Sequence, residues 1–147
     1  MADCIFCKIV AGELPADVVL RTDSALAFRD LNPQAPTHVL VIPLEHVEHA
    51  GVLAPEHAEL LSDVFATANA VAAQEGLAER GYRLVFNVGE DSGNSVPHLH
   101  LHVLGGRLLG WPPHELAPRV AVRKEPAPVR LRRPCRPPSR SSCPATT

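Results

Sequence analysis

Three histidines alternate with apolar residues in the stretch SVPHLHLHVL, residues 95–104, and this alternation limits what the chain can fold into. Successive side chains of a β-strand point to opposite faces, so His98, His100 and His102 are predicted to share one face, about 6.5–7 Å apart. The leucines and valine between them then face the core. Burying a row of imidazoles among apolar groups would leave ring nitrogens without hydrogen-bond partners, which is costly. The pattern therefore favours a functional face over a purely structural strand.

Two kinds of chemistry suit such a face. A His-x-His pair on a strand is a good two-ligand chelator for a transition metal. Alternatively, a neutral imidazole attacks phosphorus, and its neighbours orient it and bind the phosphate oxygens. The preceding loop suits the second chemistry, because Gly93 allows the backbone to approach a phosphate and Asn94 and Ser95 offer hydrogen-bond donors. The residues alone leave both interpretations open.

The hydrophobic periodicity predicts an α+β fold. Apolar residues recur at helical spacing between Pro55 and Gly76, so a long helix is predicted over residues 55–75. A short helix is predicted over residues 4–11. Apolar runs between turn residues predict five strands, over residues 17–21, 25–30, 37–43, 82–89 and 98–105. Short strands joined by tight turns favour an antiparallel sheet with the helices on one side.

The charge distribution divides the chain into two parts. Residues 1–114 contain 6 Lys/Arg and 14 Asp/Glu, whereas residues 115–147 contain 8 and 2, so the net charges are −8 and +6. The second part has seven prolines and no aromatic residue, and too little apolar surface to offset chain entropy. We therefore expect one domain over residues 1–114. The basic Pro/Arg-rich tail, residues 115–147, is expected to be disordered and to bind no specific nucleic acid.

The N-terminal sequence MADCIFCKIVAGELP has no apolar stretch long enough for a signal peptide. No later segment approaches the roughly 20 apolar residues of a membrane span. We expect a cytoplasmic protein that binds no membrane and whose thiols stay reduced. Cys4 and Cys7 form a C-x-x-C pair, which suits redox chemistry, two buried small side chains, or half of a zinc site. Structural zinc takes four ligands, so the third interpretation needs two more from elsewhere in the chain.

Several longer segments resemble those of one family. Residues 98–104 match the His-φ-His-φ-His-φ-φ signature of the histidine triad superfamily, where φ is hydrophobic. The segments CIFCKIVAGELPA, AFRDLNPQAPTHVLVIP and LGGR followed by GWPP resemble the Hint branch, and the similarity covers about residues 3–113. The resemblance implies a HIT-like fold. Such a protein is an α+β homodimer whose subunit has a five-stranded antiparallel sheet, one long helix and one short helix.

The resemblance also implies an activity, that of a purine nucleoside 5′-phosphoramidate hydrolase. Such an enzyme cleaves AMP-type substrates through a covalent nucleotidyl-histidine intermediate and requires no cofactor for catalysis. His100 would be the nucleophile. His102 and His38 would assist through phosphate and imidazole contacts, with His102 as a candidate proton donor to the departing amine. The alternatives are hydrolysis of dinucleoside polyphosphates, as in the Fhit branch, and nucleotide binding without catalysis.

The remaining roles are implied position by position. Asp30 would hold the ribose hydroxyls, apolar side chains would surround the base, and the loop before the triad would contact the phosphate. The nucleotide would thus be bound by His100 and His102 together with Phe6, Ile9, Phe28, Asp30, Leu31, Asn87, Gly93, Asn94 and Ser95. A structural zinc ion would be bound by the C-x-x-C pair and the two histidines that match the family's ligand positions, namely Cys4, Cys7, His46 and His98.

Overall fold

The structure, a computed structural model, describes residues 3–111. Its helices and strands follow in the order α1 (Ile5–Val10), β1 (Val18–Arg21), β2 (Ala25–Arg29), β3 (Thr37–Pro43), α2 (Ala58–Gln74), β4 (Arg83–Phe86) and β5 (Leu101–Gly105). Short 3₁₀ turns lie at Ala50–Val52, Pro55–His57 and Glu90–Ser92. The tail expected over residues 115–147 lies outside the described residues.

The strands form one antiparallel sheet in the order β1-β2-β3-β5-β4. The predicted five-stranded antiparallel sheet with one long and one short helix is therefore confirmed. The last of the described strands, β5, is inserted between β3 and β4. His102 consequently lies opposite Leu40 of β3 on one side and opposite Val85 of β4 on the other. The end of the histidine row is thus in the interior of the sheet.

The long helix α2 follows from its apolar spacing. Val64, Ala68, Val71 and Ala72 are fully buried and lie on the face that packs against the sheet. The predicted range, residues 55–75, is confirmed except that its first three residues form a 3₁₀ turn that contains Pro55. Among residues 3–111, no helix is long and apolar enough to cross a membrane.

The expectation that both helices lie on one side of the sheet is wrong. Ala25 and Ala27 of β2 pack with α2, whereas Leu26 and Phe28 of the same strand pack with Phe6 of α1. Alternate residues of a strand face opposite ways, so the two helices cover opposite faces. The reason is that β3 is buried at every position. A strand that is buried on both faces needs cover on both.

The predicted fifth strand begins later than expected, at Leu101 rather than His98. Residues 98–100 lie outside the regular strand, and His98 is part of a bend. The Leu99 N–H donates to the Val47 carbonyl oxygen at 2.6 Å. Regular pairing of β5 with β3 begins at the Val41–Leu101 pair, although β3 itself continues to Pro43. His98 and His100 are nevertheless buried. The cost expected for burying them is avoided because a ring nitrogen of each one has a hydrogen-bond partner.

Candidate active site and metal-binding cluster

His100 is held by the backbone two residues before it. Its Nδ1 lies 2.7 Å from the His98 carbonyl oxygen, which can only accept a hydrogen bond. Neutral His100 therefore carries its proton on Nδ1, and the lone pair of Nε2 is free. The edge-to-face contact with Phe6, whose ring centroid is 5.4 Å away, holds the imidazole from the side. This arrangement presents an unprotonated nitrogen on a rigidly held ring.

His38 and His102 form a pair beside it. His38 Nε2 lies 2.9 Å from His102 Nδ1 and 3.4 Å from Asp30 Oδ2. The other nitrogen of His102, Nε2, lies 3.4 Å from Nδ2 of Asn87. The rings of His100 and His102 are in edge contact, with centroids 5.0 Å apart. The structure thus brings together the three histidines expected to act in catalysis, His38, His100 and His102.

Burial keeps the His38–His102 pair uncharged. The pKa of His102 is lowered to about 4, chiefly by desolvation and then by repulsion from His100 and His38, while Asp30 opposes the shift. Desolvation also lowers the pKa of His38, again against the attraction of Asp30. A buried imidazole loses the hydration that stabilises its charged form. Both rings are therefore neutral near pH 7 in the substrate-free protein.

We expect the free energy of unfolding to decrease as the pH falls from 6.5 to about 4, the ordinary and folded pKa values of His102. In this window the unfolded chain binds a proton that the folded chain does not, so unfolding is favoured. Above pH 6.5 His102 is neutral in both states, and below about 4 it is protonated in both. This group contributes at most about 1.4 kcal/mol per pH unit. Denaturant titrations at several pH values measure the slope. A His102→Gln variant with an unchanged slope would contradict the expectation.

The side chains expected to surround a base lie on the α1 side of the sheet. Phe6 and Phe28 meet edge to face at 5.5 Å, and Ile9 packs against the same apolar cluster. Leu31 differs from them because it is 99% exposed. Asp30 precedes it, and its Oδ1 accepts the Asn32 N–H at 2.7 Å while Oδ2 is directed towards His38. The apolar cluster therefore closes the site on the α1 side of the sheet, whereas the site is open to solvent at Leu31.

The loop before the triad is shaped by glycine. Gly93 has a φ of +78°, which residues with a side chain rarely adopt, and a Cβ there would meet no atom within 4 Å. Asn94 has a buried Oδ1 with no hydrogen-bond partner within residues 3–111. A buried carbonyl oxygen without a partner is costly, so it requires a donor from water or a ligand. Ser95 lines a cavity of about 850 Å³ that also contacts Cys4 and His46.

A second cluster is formed by Cys4, Cys7, His46 and His98. His98 Nδ1 lies 3.4 Å from Cys4 Sγ and 3.5 Å from Cys7 Sγ, and His46 Nδ1 lies 3.2 Å from Cys7 Sγ. Tetrahedral zinc with ordinary bond lengths places sulfur and nitrogen ligands about 3.5 Å apart. His98 Nε2 donates to the Pro43 carbonyl oxygen at 3.1 Å, which leaves Nδ1 free as a ligand. The donor set and its spacing suit a zinc ion.

A third set, Asp30, His38 and His102, also offers three metal-ligating atoms close together. Its surroundings differ from those of the cysteine cluster, because the Gln34 backbone N–H donates to His38 Nδ1 at 3.0 Å. Neutral His38 must then carry its proton on Nε2, the atom that a metal would need. A histidine ligand ordinarily donates from its other nitrogen, as His98 does. This set therefore suits hydrogen bonding rather than metal binding.

Comparison with known proteins agrees with this geometry. A family model described as "HIT domain" matches residues 11–109, about two thirds of the chain. The chain belongs to the HIT family. Its match includes the triad and the His38–Asp30 region, whereas the C-x-x-C pair precedes it. The resemblance stated from the sequence is confirmed at the level of the superfamily.

Characterised and solved HIT proteins are similar over most of their length. The purine nucleoside phosphoramidase of Escherichia coli K12 is 44% identical over 108 residues, which cover 74% of this HIT protein and 91% of that enzyme. An uncharacterised HIT-like protein of Synechococcus elongatus is 52% identical over 111 residues, covering 76% and 96% of the two chains. The crystal structure of a HIT family hydrolase from Legionella pneumophila has 50% identity and a TM-score of 0.74, covering 76% of this chain and 99% of that one. This HIT protein is thus similar to hydrolases.

Two backbone groups of the site were not anticipated from the sequence, the Gln34 N–H and the Pro43 carbonyl. Both act through main-chain atoms, which every residue type carries, so neither residue is marked by its side chain. The only available signal was position: Gln34 lies in the breaker NPQAP before β3, and Pro43 ends that strand. Turn residues next to a candidate histidine are therefore worth testing as hydrogen-bond partners.

Proposed function

We propose that this protein hydrolyses purine nucleoside 5′-phosphoramidates through a covalent nucleotidyl-histidine intermediate. The observation that carries the proposal is the bond from His100 Nδ1 to the His98 carbonyl at 2.7 Å. It leaves Nε2 of a neutral imidazole as a nucleophile without requiring a separate base. The likeness to the purine nucleoside phosphoramidase of Escherichia coli supports this choice of substrate class.

The reaction runs in two displacements. In the first, Nε2 of His100 forms a bond to the α-phosphorus, and the P–N bond to the amine breaks with its electron pair going to the amine nitrogen. The amine takes up a proton as it leaves, and His102 is the neighbouring group that assists there. In the second, water forms a P–O bond, the bond to His100 breaks, and AMP is released. Over the two steps the amine takes up one proton and the attacking water releases one, so the protein neither gains nor loses a proton.

The charge on the phosphoryl oxygens needs donors that are already in place. We assign this role to Asn87, to the backbone around Gly93 and to the polar side chains of Asn94 and Ser95. In Asn94 the donor would be the side-chain NH₂ group, because Oδ1, which has no partner among the described residues, can only accept a hydrogen bond. Asp30 completes the nucleotide site as acceptor for the ribose hydroxyls.

The base would bind between apolar side chains. Phe6, Ile9 and Phe28 already form one packed cluster next to His100. The exposed Leu31 would close over the base from the solvent side, which would bury an apolar side chain that is now 99% exposed. Apolar contacts do not distinguish the hydrogen-bonding edges of adenine and guanine. The proposed site would therefore accept nucleotides of either purine.

Zinc would be bound by Cys4, Cys7, His46 and His98 and would act structurally. It would supply a cross-link between α1, the segment after β3 and the segment before β5, with no part in bond cleavage. Burial and the neighbouring Cys4 raise the pKa of the Cys7 thiol, so its thiolate requires a cation for stability. Zinc bound there would stabilise both thiolates.

We further propose that the protein acts as a cytoplasmic homodimer. The strand β4 lies at the edge of the sheet, with one side unpaired among the described residues. Leu108 and Trp111 are 73% and 82% exposed, which is unusual for large apolar side chains. A second copy of the chain would cover both features.

Turnover of an adenosine 5′-phosphoramidate of a fluorescent amine tests the proposed activity. We expect a rate on the order of 1 s⁻¹ or faster at pH 7. Diadenosine tetraphosphate serves as the competing substrate in the same assay. Faster cleavage of that compound would indicate a dinucleoside polyphosphate hydrolase. Tight AMP binding without cleavage of either substrate would indicate a nucleotide-binding adaptor.

A further inference from the structure

A backbone amide determines where His38 carries its proton. The Gln34 N–H lies 3.0 Å from His38 Nδ1, and a backbone N–H can only donate. Nδ1 must therefore be the unprotonated nitrogen of the ring. Since His38 is almost fully buried and desolvation lowers its pKa, the ring carries a single proton, which must be on Nε2.

The same constraint passes to His102. His38 Nε2 has two acceptors within reach, His102 Nδ1 at 2.9 Å and Asp30 Oδ2 at 3.4 Å. With its proton on Nε2, His38 donates to the nearer of them, so His102 Nδ1 accepts. Neutral His102 then carries its own proton on Nε2, the nitrogen that faces Asn87. A proton added at Nδ1 of His102 would oppose the proton on His38.

We propose that the Gln34 backbone N–H is a positioning group which, through His38, holds His102 as a neutral donor at Nε2 and prevents it from acting as an imidazolium. This inference rests on the proposed function, because it assigns the Nε2–H of His102 to the departing amine nitrogen. That hydrogen bond stabilises the electron pair that the amine receives when the P–N bond breaks. The amine takes up its proton from solvent water, and His102 keeps its own. The atom of Asn87 next to His102 Nε2 is Nδ2, at 3.4 Å. Because the oxygen and nitrogen of an amide have nearly the same shape, the proposal requires a half-turn of this amide in the substrate-free protein, so that Oδ1 accepts the Nε2–H of His102.

Two backbone groups thus hold adjacent imidazoles in opposite tautomers. The carbonyl of His98 requires a proton on Nδ1 of His100, which frees Nε2 for attack. The N–H of Gln34 requires, through one intermediate ring, a proton on Nε2 of His102. The titratable groups around His102 are His38, His100 and Asp30, and only Asp30 favours its protonation. A nucleophile and a donor are obtained from chemically identical side chains.

The loop that carries Gln34 is held in place from several directions. The Asn32 N–H donates to Asp30 Oδ1 at 2.7 Å, and the Gln34 side chain donates to the Asn32 carbonyl at 2.9 Å. Arg107 donates to the Gln34 carbonyl oxygen at 3.1 Å. These contacts fix residue 34 on both sides of its Cα. Its N–H is therefore preorganised to point at His38.

Imidazole ¹⁵N NMR of the wild-type protein tests the inference directly. We expect His38 and His102 to show a protonated Nε2 and an unprotonated Nδ1 between pH 6 and 8. In the neutral form of His100 the proton should be on Nδ1. The same pattern is expected at saturating AMP. Protonation of both nitrogens of His102 in the AMP complex at pH 7, or protonation of its Nδ1, would overturn the proposal. These spectra require no turnover, so they stand or fall independently of the proposed substrate.

Removing the donor provides the second measurement. Gln34→Pro lacks the N–H, whereas the matched Gln34→Ala keeps it and loses only the side-chain bond. In Gln34→Pro we expect His38 to populate the Nδ1–H tautomer, and phosphoramidate turnover to fall at least about tenfold. The 4-nitrophenyl ester of AMP, whose leaving group needs no donor, should lose less. Gln34→Ala should keep the wild-type tautomer. An unchanged His38 tautomer in folded Gln34→Pro would refute the inference, and if that variant does not fold, the wild-type spectra decide.

Discussion

His100→Ala should lower phosphoramidate turnover by about 10⁴-fold or more, because it removes the atom that forms the covalent intermediate. The loss should be in kcat, since the base and ribose contacts do not depend on Nε2. AMP binding by calorimetry should remain within about tenfold of the wild type. The decrease is measured in the fluorescent-amine assay, with thermal unfolding as a check that the variant is folded.

The matched control for this variant is His49→Ala. His49 caps a 3₁₀ turn through the Gly51 N–H at 3.1 Å and belongs to neither histidine cluster, so its loss should leave turnover near the wild-type value. Labelled substrate, mixed for milliseconds and stopped in alkaline denaturant to preserve a P–N bond, should leave label on His100. Wild-type turnover in His100→Ala, or label on another residue, would exclude the proposed mechanism.

Cys4→Ser should destabilise the fold far more than it lowers activity. The variant removes one of four ligands, and structural zinc contributes its binding energy directly to folding. A loss of only about 3 kcal/mol already corresponds to a decrease of at least about 10 °C in the unfolding midpoint of a domain of this size. Differential scanning calorimetry measures the midpoint, and metal analysis of the purified, unchelated protein should show one zinc per chain.

Cys135→Ser is the control for loss of a thiol. Cys135 belongs to the segment that the sequence predicts to be disordered, so the unfolding midpoint of this variant should match that of the wild type. His98→Ala should behave like Cys4→Ser, with lower stability and a smaller effect on turnover, although His98 belongs to the same motif as His100. The wild-type protein binding well under one equivalent of metal, or Cys4→Ser losing turnover without losing stability, would contradict a structural zinc site.

Local sequence patterns determined most of the secondary structure of this protein. The apolar spacing of α2 and the buried run of β3 are properties of consecutive residues, and both elements were predicted within a few positions. The three histidines were recognisable as a functional set for the same reason, because alternation along one segment places side chains on a common face. The resemblance to the superfamily rests on the same segments.

The different partners of those histidines depended on tertiary structure. His98 contacts a cysteine more than ninety positions away in the sequence. Only four residues later, His102 contacts His38 on the neighbouring strand β3. The position of α1 likewise depends on tertiary structure, because α2 covers one face of the sheet and leaves the other face for α1. Periodicity records which residues share a face, but not which distant chain segment meets that face. The proton positions of His38, His100 and His102 depend on two main-chain groups, the Gln34 N–H and the His98 carbonyl. Such groups have the same chemistry in any sequence, and they act only where the fold brings them next to a ring nitrogen.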